Sequence, residues 1–314
     1  MSISPVAGRT SPAASRVAGA APVPGAAVSD TTPVPDDRTV PEAAEALAGF
    51  LRQHRRLFVL TGAGCSTDSG IPDYRDADGS WKRGRPIQFR AFMRDADARA
   101  RYWARSMVGW RSFGAASSSS SHHALARLEA SGQIGLLVTQ NVDGLHQGAG
   151  SRNVIDLHGR LDRVVCMTCR HRLARDDWQR QLGVSNPSWA VLDAAVAPDG
   201  DADLDGQDFG GFVVPGCPHC QGVVKPDVVF FGENVPPWRH TQATAALATS
   251  DAMLVVGSSL MVHSGFRYAV AASRLGRPVA CLNLGRTRAD HLLSLKIDAP
   301  AGPTLASAVG ALPA

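Results

Sequence analysis

No run of apolar residues in this 314-residue chain approaches the ~18 that a membrane-crossing helix requires, so no membrane partner is expected. An excess of one charge is also lacking. The 32 lysines and arginines stand against 28 aspartates and glutamates, for a formal charge of +4. That is too mild to argue for nucleic acid or an anionic bilayer as a partner. Cysteine is sparse. Cys65 and Cys281 stand alone in apolar runs, and the other four form the pairs Cys166/Cys169 and Cys217/Cys220. This is not the pattern of a secreted disulfide scaffold, and a reducing compartment fits it better. Acidic residues are missing from the start: none precedes Asp30, and Ala, Pro, Ser, Gly and Val dominate there. Residues 1–38 have no periodicity with which to bury a core and are expected to form a disordered tail. An acid-poor, arginine-bearing start also suits an organelle transit peptide, which would place a eukaryotic chain in mitochondria. The prolines argue against the amphipathic helix such a peptide needs, and a cytoplasmic location is expected.

Residues 39–314 carry the structural signals. Pro41–His54 predicts a helix with Ala44, Leu47, Phe50 and Leu51 on one face. Arg56–Leu60 predicts a buried strand, followed at once by TGAGCSTDSGIPDYRD. Gly62 and Gly64 at that junction would let backbone N–H groups approach a pyrophosphate. The full dinucleotide fingerprint is absent, because Thr67 stands at its third glycine and no strand ends in an acid about twenty residues on. A tight structural turn therefore explains these glycines equally well. The polar loop Asp68–Lys82 is too long for a plain connection and is a candidate cover for a ligand. Over 86–113, Phe89, Phe92, Met93, Tyr102, Trp103, Met107 and Trp110 alternate with arginines. This predicts a helical cover over a pocket, spanning about 84–132, rather than a nucleic-acid surface. Ser117–Ser121 predicts a loop and His122–Ala130 a helix.

Gly135–Val138 and Asn153–Leu157 predict short buried strands. The first empties into Gln140, Asn141, Asp143 and His146, the second into Asp156 and His158. Residues past the carboxyl ends of parallel strands line the ligand crevice of an α/β sheet. The two CxxC pairs follow, with thiolates enough for one tetrahedral zinc ion that leaves no position open for water. The 47 residues between the pairs exceed the usual ribbon spacing of roughly 15–20. The excess predicts a low-order insert bearing Asp193, Asp199, Asp201, Asp203, Asp205 and Asp208, in a module spanning about 160–226. His171 and His219 lie near enough to be substitute ligands, although four thiolates already complete the shell. Further strands are expected at Val228–Phe231, Asp251–Val256 and Pro278–Leu284, with helices at Ser264–Leu275 and Thr304–Leu312. The expected fold is α/β, a Rossmann-like doubly wound parallel sheet with an inserted small zinc-binding module.

Taken in order, GAGCSTDSGIPDYR (62–75), TQNVDGLH (139–146), LHG (157–159), the two CxxC pairs, KPDVVFFGE (225–233), VVGSSL (255–260) and LNLG (282–285) resemble the motifs of the sirtuins, the NAD-dependent protein deacylases. The resemblance spans residues about 40 to 312. RPIQ (85–88), RYWAR (101–105), VGW (108–110), NPSW (186–189) and APDGD (197–201) are similar to the class II branch, and the last two lie in the long insert.

The resemblance implies that NAD lies across the strand ends. Gly62, Ala63, Gly64 and Ser66 would hold its phosphates, with Asp73, Tyr74 and Arg75 nearby. Gly257, Ser258, Ser259, Asn283, Leu284, Gly285 and Ala301 would hold the adenosine half. Gln140, Asn141, Val142 and Asp143 would surround the nicotinamide and its ribose, with Asn141 and Asp143 counted as catalytic. An acylated protein lysine would enter between the two domains, its peptide pairing between Gly232–Glu233 and Leu260–His263. Val229, Phe230, Phe231, Gly232, Glu233 and Val262 would contact it. His158, whose unperturbed imidazole would titrate near 6.5, would act as general base on a ribose hydroxyl. The implied products are free lysine, nicotinamide and O-acyl-ADP-ribose. Tyr102 and Arg105 resemble the Tyr-x-x-Arg that reads acidic acyl groups, which would make succinyl-type lysines candidates. The alternative is a Tyr and an Arg on a solvated helix face.

The chain departs from the sirtuin pattern at Tyr74, often Phe, and in having serine before His122 where Asn-Pro is usual. The implied cofactors are NAD and one structural zinc ion, and a monomer is expected. The alternatives are a mono-ADP-ribosyltransferase using the same site and a noncatalytic zinc-ribbon adaptor that binds peptide or nucleic acid. An adaptor would have no need of His158, Asn141 and Asp143. A nicotinamide oxidoreductase is disfavoured by the failed fingerprint.

Overall fold

A computed structural model describes residues 39–82, 86–192, 194, 200–204 and 206–313. The expected tail and Arg85, Asp193, Asp199 and Asp205 lie outside the described residues. In chain order the elements are α1 (Val40–Gln53), β1 (Leu57–Thr61), α2 (Phe89–Arg94), α3 (Ala96–Phe113), α4 (Ser120–Ala130), β2 (Ile134–Thr139), α5 (Leu145–Gly148) and β3 (Val154–Asp156). Then follow β4 (Gly159–Cys166), β5 (Arg172–Ala174), α6 (Arg175–Ser185), β6 (Val224–Val228), α7 (Pro237–Ala248), β7 (Ala252–Val256), α8 (His263–Arg274), β8 (Val279–Leu282), β9 (Leu295–Ile297) and α9 (Ala301–Gly310).

The main sheet has six strands in the order β3-β2-β1-β7-β8-β9, all parallel. Strand order reverses direction between β1 and β7, which is where such a sheet opens a crevice for a ligand. The continuous apolar runs of these strands are buried on both faces, as a parallel sheet requires. Leu57, Val59, Leu254 and Val256 pack with α1, α4 and α9. Phe58, Leu60, Met253 and Val255 pack with α7 and α8 on the other face. Thr39 fixes the start of α1, since its backbone N–H and the Glu42 carboxylate meet at 2.9 Å, and Pro41 sits in the first turn.

A three-stranded antiparallel sheet, β5-β4-β6, follows β3 and carries the cysteine pairs at its far end. Its core also takes in Phe92, Tyr102 and Trp103 from α2 and α3 and Trp178 from α6. The expected strand at Val228–Phe231 is not part of the main sheet. The strand there is Val224–Val228, in the small sheet, because its partner is β4. Residues beyond it bend away, with Val229 N–H donating to His158 O at 2.7 Å and Phe230 turned into the aromatic core. The insert is not of low order where it is described. Helix α6 fills part of it, and Trp189 stacks on Phe209 at 5.6 Å and meets Phe212 edge-on. The serine run is only partly a loop, because Ser119 caps α4 and Ser120 and Ser121 are helical.

Gly159 is where the two sheets' paths meet. Its φ is +86°, and a Cβ there would stand 2.1 Å from Asp227 O and 2.9 Å from Val228 Cα, both backbone atoms. Gly159→Ala is therefore expected to lower stability by about 2–4 kcal/mol, read as a reduced midpoint in urea unfolding with an unchanged slope.

Candidate active site

The turns that follow β1 and β7 interlock. Gly62 N–H donates to Val256 O at 3.1 Å and Gly64 N–H to Gly257 O at 2.9 Å. A Cβ on Gly62 would sit 2.7 Å from Gly257 O, and one on Gly257 only 2.3 Å from Cys65 N, with φ already at +61°. The missing third glycine of the dinucleotide fingerprint has no place in this arrangement, because the close approach is between two backbone turns.

A cavity of about 620 Å³ opens at this switch point. Gly62, Ala63, Gly64, Gly257, Ser258 and Ser259 form its floor, and Gln140, Asn141, Val142 and His158 stand at the ends of β2 and β3. Asn283, Leu284 and Ala301 line it as well. The long loop contributes Asp73, Tyr74, Arg75 and Trp81, so it does cover the cavity. Arg75 donates to Gly79 O at 2.6 Å and lies 3.9 Å over the Trp81 ring. Val229, Phe230, Phe231, Gly232, Glu233 and Val262 line the same space. An elongated dinucleotide fits this donor set: bare glycine backbone at the switch point, and amides and hydroxyls on either side.

Three expected cofactor contacts lie behind the wall. Ser66 is 1% exposed, and its Oγ donates to Asp143 Oδ2 at 2.8 Å while accepting from Asn141 Nδ2 at 3.0 Å. Asp143 Oδ1 accepts Leu145 N–H at 2.9 Å, which fixes the start of α5. Asp143 thus acts on the cavity through Ser66 and Asn141, whose amide also reaches Gly62 O at 3.0 Å. Gly285 is tied to Asp298 at 3.0 Å and does not line the cavity.

His158 Nδ1–H donates to Gln140 O at 2.9 Å, which fixes the tautomer and leaves a lone pair on Nε2. That lone pair accepts from Ser264 Oγ at 2.8 Å. Loss of water around the ring pushes its pKa down to about 4, against the pull of the Gln140 carbonyl and with help from the Arg239 charge. The imidazole is therefore neutral at pH 7. His146 is buried against Thr61 Oγ1 at 2.8 Å. Two participants were missed by sequence reasoning. Ser264, at the start of α8, carries no local motif. His122 accepts Ser119 N–H at Nδ1 (3.1 Å), so its Nε2–H faces Ser66 Oγ at 3.4 Å and completes the Ser66–Asp143 network. Its pKa is lowered to about 4, first by burial. The histidine-heavy spacing of SHHAL was the only signal, and it was absorbed into a helix prediction.

Tyr102 and Arg105 part company. Tyr102 lines the cavity, 6% exposed, and packs edge-on against Phe92 and Phe230 at 5.4 and 5.3 Å. Arg105 does not line it; its guanidinium faces Asp201 at 3.9 Å. Glu233 accepts from Phe230 N–H and from the buried Lys225 ammonium, each at 3.0 Å, so it braces the turn it sits on.

The four paired cysteines converge. Cys166 and Cys220 sulfurs are 3.5 Å apart, Cys169 and Cys217 sulfurs 3.7 Å, and all four lie within 4.8 Å of one another. These separations are far beyond a disulfide and match the ~3.8 Å edge of a tetrahedron with Zn–S bonds of about 2.3 Å. The donor set fits a structural zinc ion. His171 and His219 stack on each other at 3.8 Å beside it and are not needed as ligands.

A family model described as Sir2 family matches residues 62–264. The chain belongs to the Sir2 family. The NAD-dependent protein deacetylase of Bordetella bronchiseptica is 64% identical over 265 residues, which is 84% of this chain and 97% of that one. The NAD-dependent protein deacetylase of Xanthomonas campestris pv. campestris is 61% identical over 267 residues, 85% of this chain and 91% of that one. Among solved structures, a Sir2 protein bound to an acetylated peptide superimposes with a TM-score of 0.66 at 28% identity, covering 83% of this chain and 94% of its own. Another Sir2 enzyme gives a TM-score of 0.68 at 31% identity, covering 87% and 98%. For this Sir2-family chain, Cys217→Ser should drop bound zinc from one equivalent to well below it by elemental analysis. It should also lower the melting temperature, since the metal supplies folding energy to the small sheet.

Proposed function

We propose that the chain removes acyl groups from protein lysines in an NAD-dependent reaction, with His158 as the general base. The observation that carries this reading is the His158 tautomer: a neutral imidazole whose Nε2 lone pair faces the cavity and is held by Gln140 O and Ser264. NAD, when bound, supplies an activated glycosidic bond through which its ADP-ribose is passed to the acyl oxygen. The backbone of Gly62–Gly64 would hold the phosphates, and Gly257–Ser259 would hold the adenosine half. Gln140 and Asn141 orient the nicotinamide end, Asn141 being fixed by Gly62 O and Ser66. His158 Nε2 accepts the proton of a ribose hydroxyl, Ser264 giving up its hydrogen bond as that hydroxyl arrives. Tyr102, Phe230 and the 73–81 loop keep water from the reacting carbon.

The acyl group read by this site is neutral. Among the described residues, Asp201 engages Arg105, Asp73 engages Lys82, and Arg75 is turned onto Gly79 O and the Trp81 ring, so the aromatic wall around Tyr102 presents no cation to an acyl carboxylate. No described helix is long and apolar enough to cross a membrane.

Replacing His158 by Ala should cut NAD-dependent deacylation by roughly 10²–10⁴-fold with the fold retained by circular dichroism; near wild-type turnover would end the general-base assignment. Burial lowers the folded-state pKa of His158, so its neutral form persists on acidification. In wild-type kcat/KM, an acid limb assigned to this base should lie well below pH 6.5, toward about 4; a half-loss at 6.5 would mean a solvated ring. In a panel of acylated peptides followed by mass spectrometry, Arg105→Met should leave acetyl-lysine rates within about twofold and create no succinyl-lysine deficit, an outcome decided by whether Arg105 reaches the acyl group.

A further inference from the structure

A second cleft, of about 720 Å³, lies along the β3 edge of the main sheet, away from the cavity. It is lined by four arginines (Arg152, Arg163, Arg172 and Arg239) and two aspartates (Asp156 and Asp227). The pairing is uneven. Asp227 serves two guanidiniums, Arg172 at 3.0 Å and Arg163 at 3.4 Å. Asp156 is engaged by the Gln147 amide at 3.0 Å. Arg239 is nine-tenths buried and donates to Leu157 O at 3.3 Å; the Asp227 and Asp156 carboxylates face it without forming a direct ion pair among the described residues. Arg163 Nε forms only long ion pairs, 3.4 Å to Asp227 and 4.0 Å to Asp162, and no well-aligned hydrogen bond. Helix α7 starts at this cleft with no acid in its first turn and no side-chain cap. Trp238, on that first turn, is 55% exposed at the cleft, and the Arg239 guanidinium stands 5.4 Å from its ring.

Four guanidiniums share two carboxylates in this cleft, so its positive charge is only partly matched, and partly buried charge of that kind is costly. Here positive charge is in excess where a helix N-terminus adds its own. A flat, half-exposed indole beside the arginines offers a stacking face. We propose that this cleft binds a nucleotide, its phosphates on the arginines and its base on Trp238. The ligand is distinct from the NAD of the main cavity, and its binding is read without turnover, so the outcome does not depend on the deacylase reading.

The test is calorimetric titration of the full chain at low ionic strength with ADP and, separately, with inorganic pyrophosphate, NAD being saturating throughout to fill the main cavity. Arg152→Gln/Arg172→Gln and Trp238→Ala are compared with wild type. Arg239 is left intact because it holds the carbonyl preceding His158. One equivalent of each probe should bind wild type. The double arginine variant should weaken both probes roughly tenfold or more. Trp238→Ala should weaken ADP roughly fivefold or more while leaving pyrophosphate unchanged. The NAD KM should not move in either variant. Binding to wild type should fall steeply as salt is raised, a readout that stands even where a variant fails to fold. A single nucleotide equivalent in all, NAD and ADP counted together, equal affinity in the double arginine variant, or ADP binding indifferent to Trp238→Ala would each overturn the proposal, the last leaving a bare-anion site.

Discussion

Two backbone turns without side chains hold the molecule's centre together. Gly62 and Gly64 after β1 meet Gly257 after β7 so closely that any Cβ would collide with main-chain atoms. The contact fixes the distance between the two strands where the sheet's order reverses. It also leaves backbone bare of side chains facing the crevice, where an elongated dinucleotide can approach closely. One constraint therefore serves fold and site together. Asn141 reaches Gly62 O, Ser66 reaches Asp143, and His122 reaches Ser66, so the ends of β1 and β2 and the start of α4 are braced from the same loop.

Around this centre the histidines are kept neutral. Burial lowers the pKa of His122, His146 and His158 alike. The sign matters for stability as well as chemistry. The unfolded chain would take up protons on these rings as pH falls through 6.5, and the folded one resists until about 4 for His122 and His158. Their burial therefore costs the fold nothing above 6.5 and destabilises it progressively as pH falls from there toward about 4. Holding His158 neutral at pH 7 thus carries a cost in acid sensitivity. The Gln140 carbonyl fixes which nitrogen does the accepting, a detail that the same strand end supplies without further residues.

Much of this was legible in the chain. The apolar runs at β1, β2, β7 and β8 marked themselves because both faces of a parallel strand are buried, and the residues past their ends proved to line one cavity. The VVFF run misled for a physical reason. It is apolar because it walls the cavity and the aromatic core, not because it lies in the sheet. Strands β5 and β9 have three residues each and carry no periodicity to detect. The role of Arg105 was beyond any local pattern, since its partner Asp201 is nearly a hundred residues away, inside an insert whose order depends on Trp189 and Phe209. Ser264 and His122 were hidden in the same way: each matters through a contact made across the fold.

The small sheet links the cysteine cluster to the chemistry. Strands β4 and β6 pair from Cys166 with Val224 at one end to Gly159 with Val228 at the other, with a shift of register between. His158 immediately precedes Gly159, and Val229 immediately follows Val228 and donates to His158 O. A metal that locks the cysteine end therefore fixes the register of both strands. That register sets where His158 and the Phe230 wall stand relative to each other. A closed four-thiolate site leaves no position open for a reacting water, but through the paired backbone of β4 and β6 it would bear on where His158 and Phe230 stand.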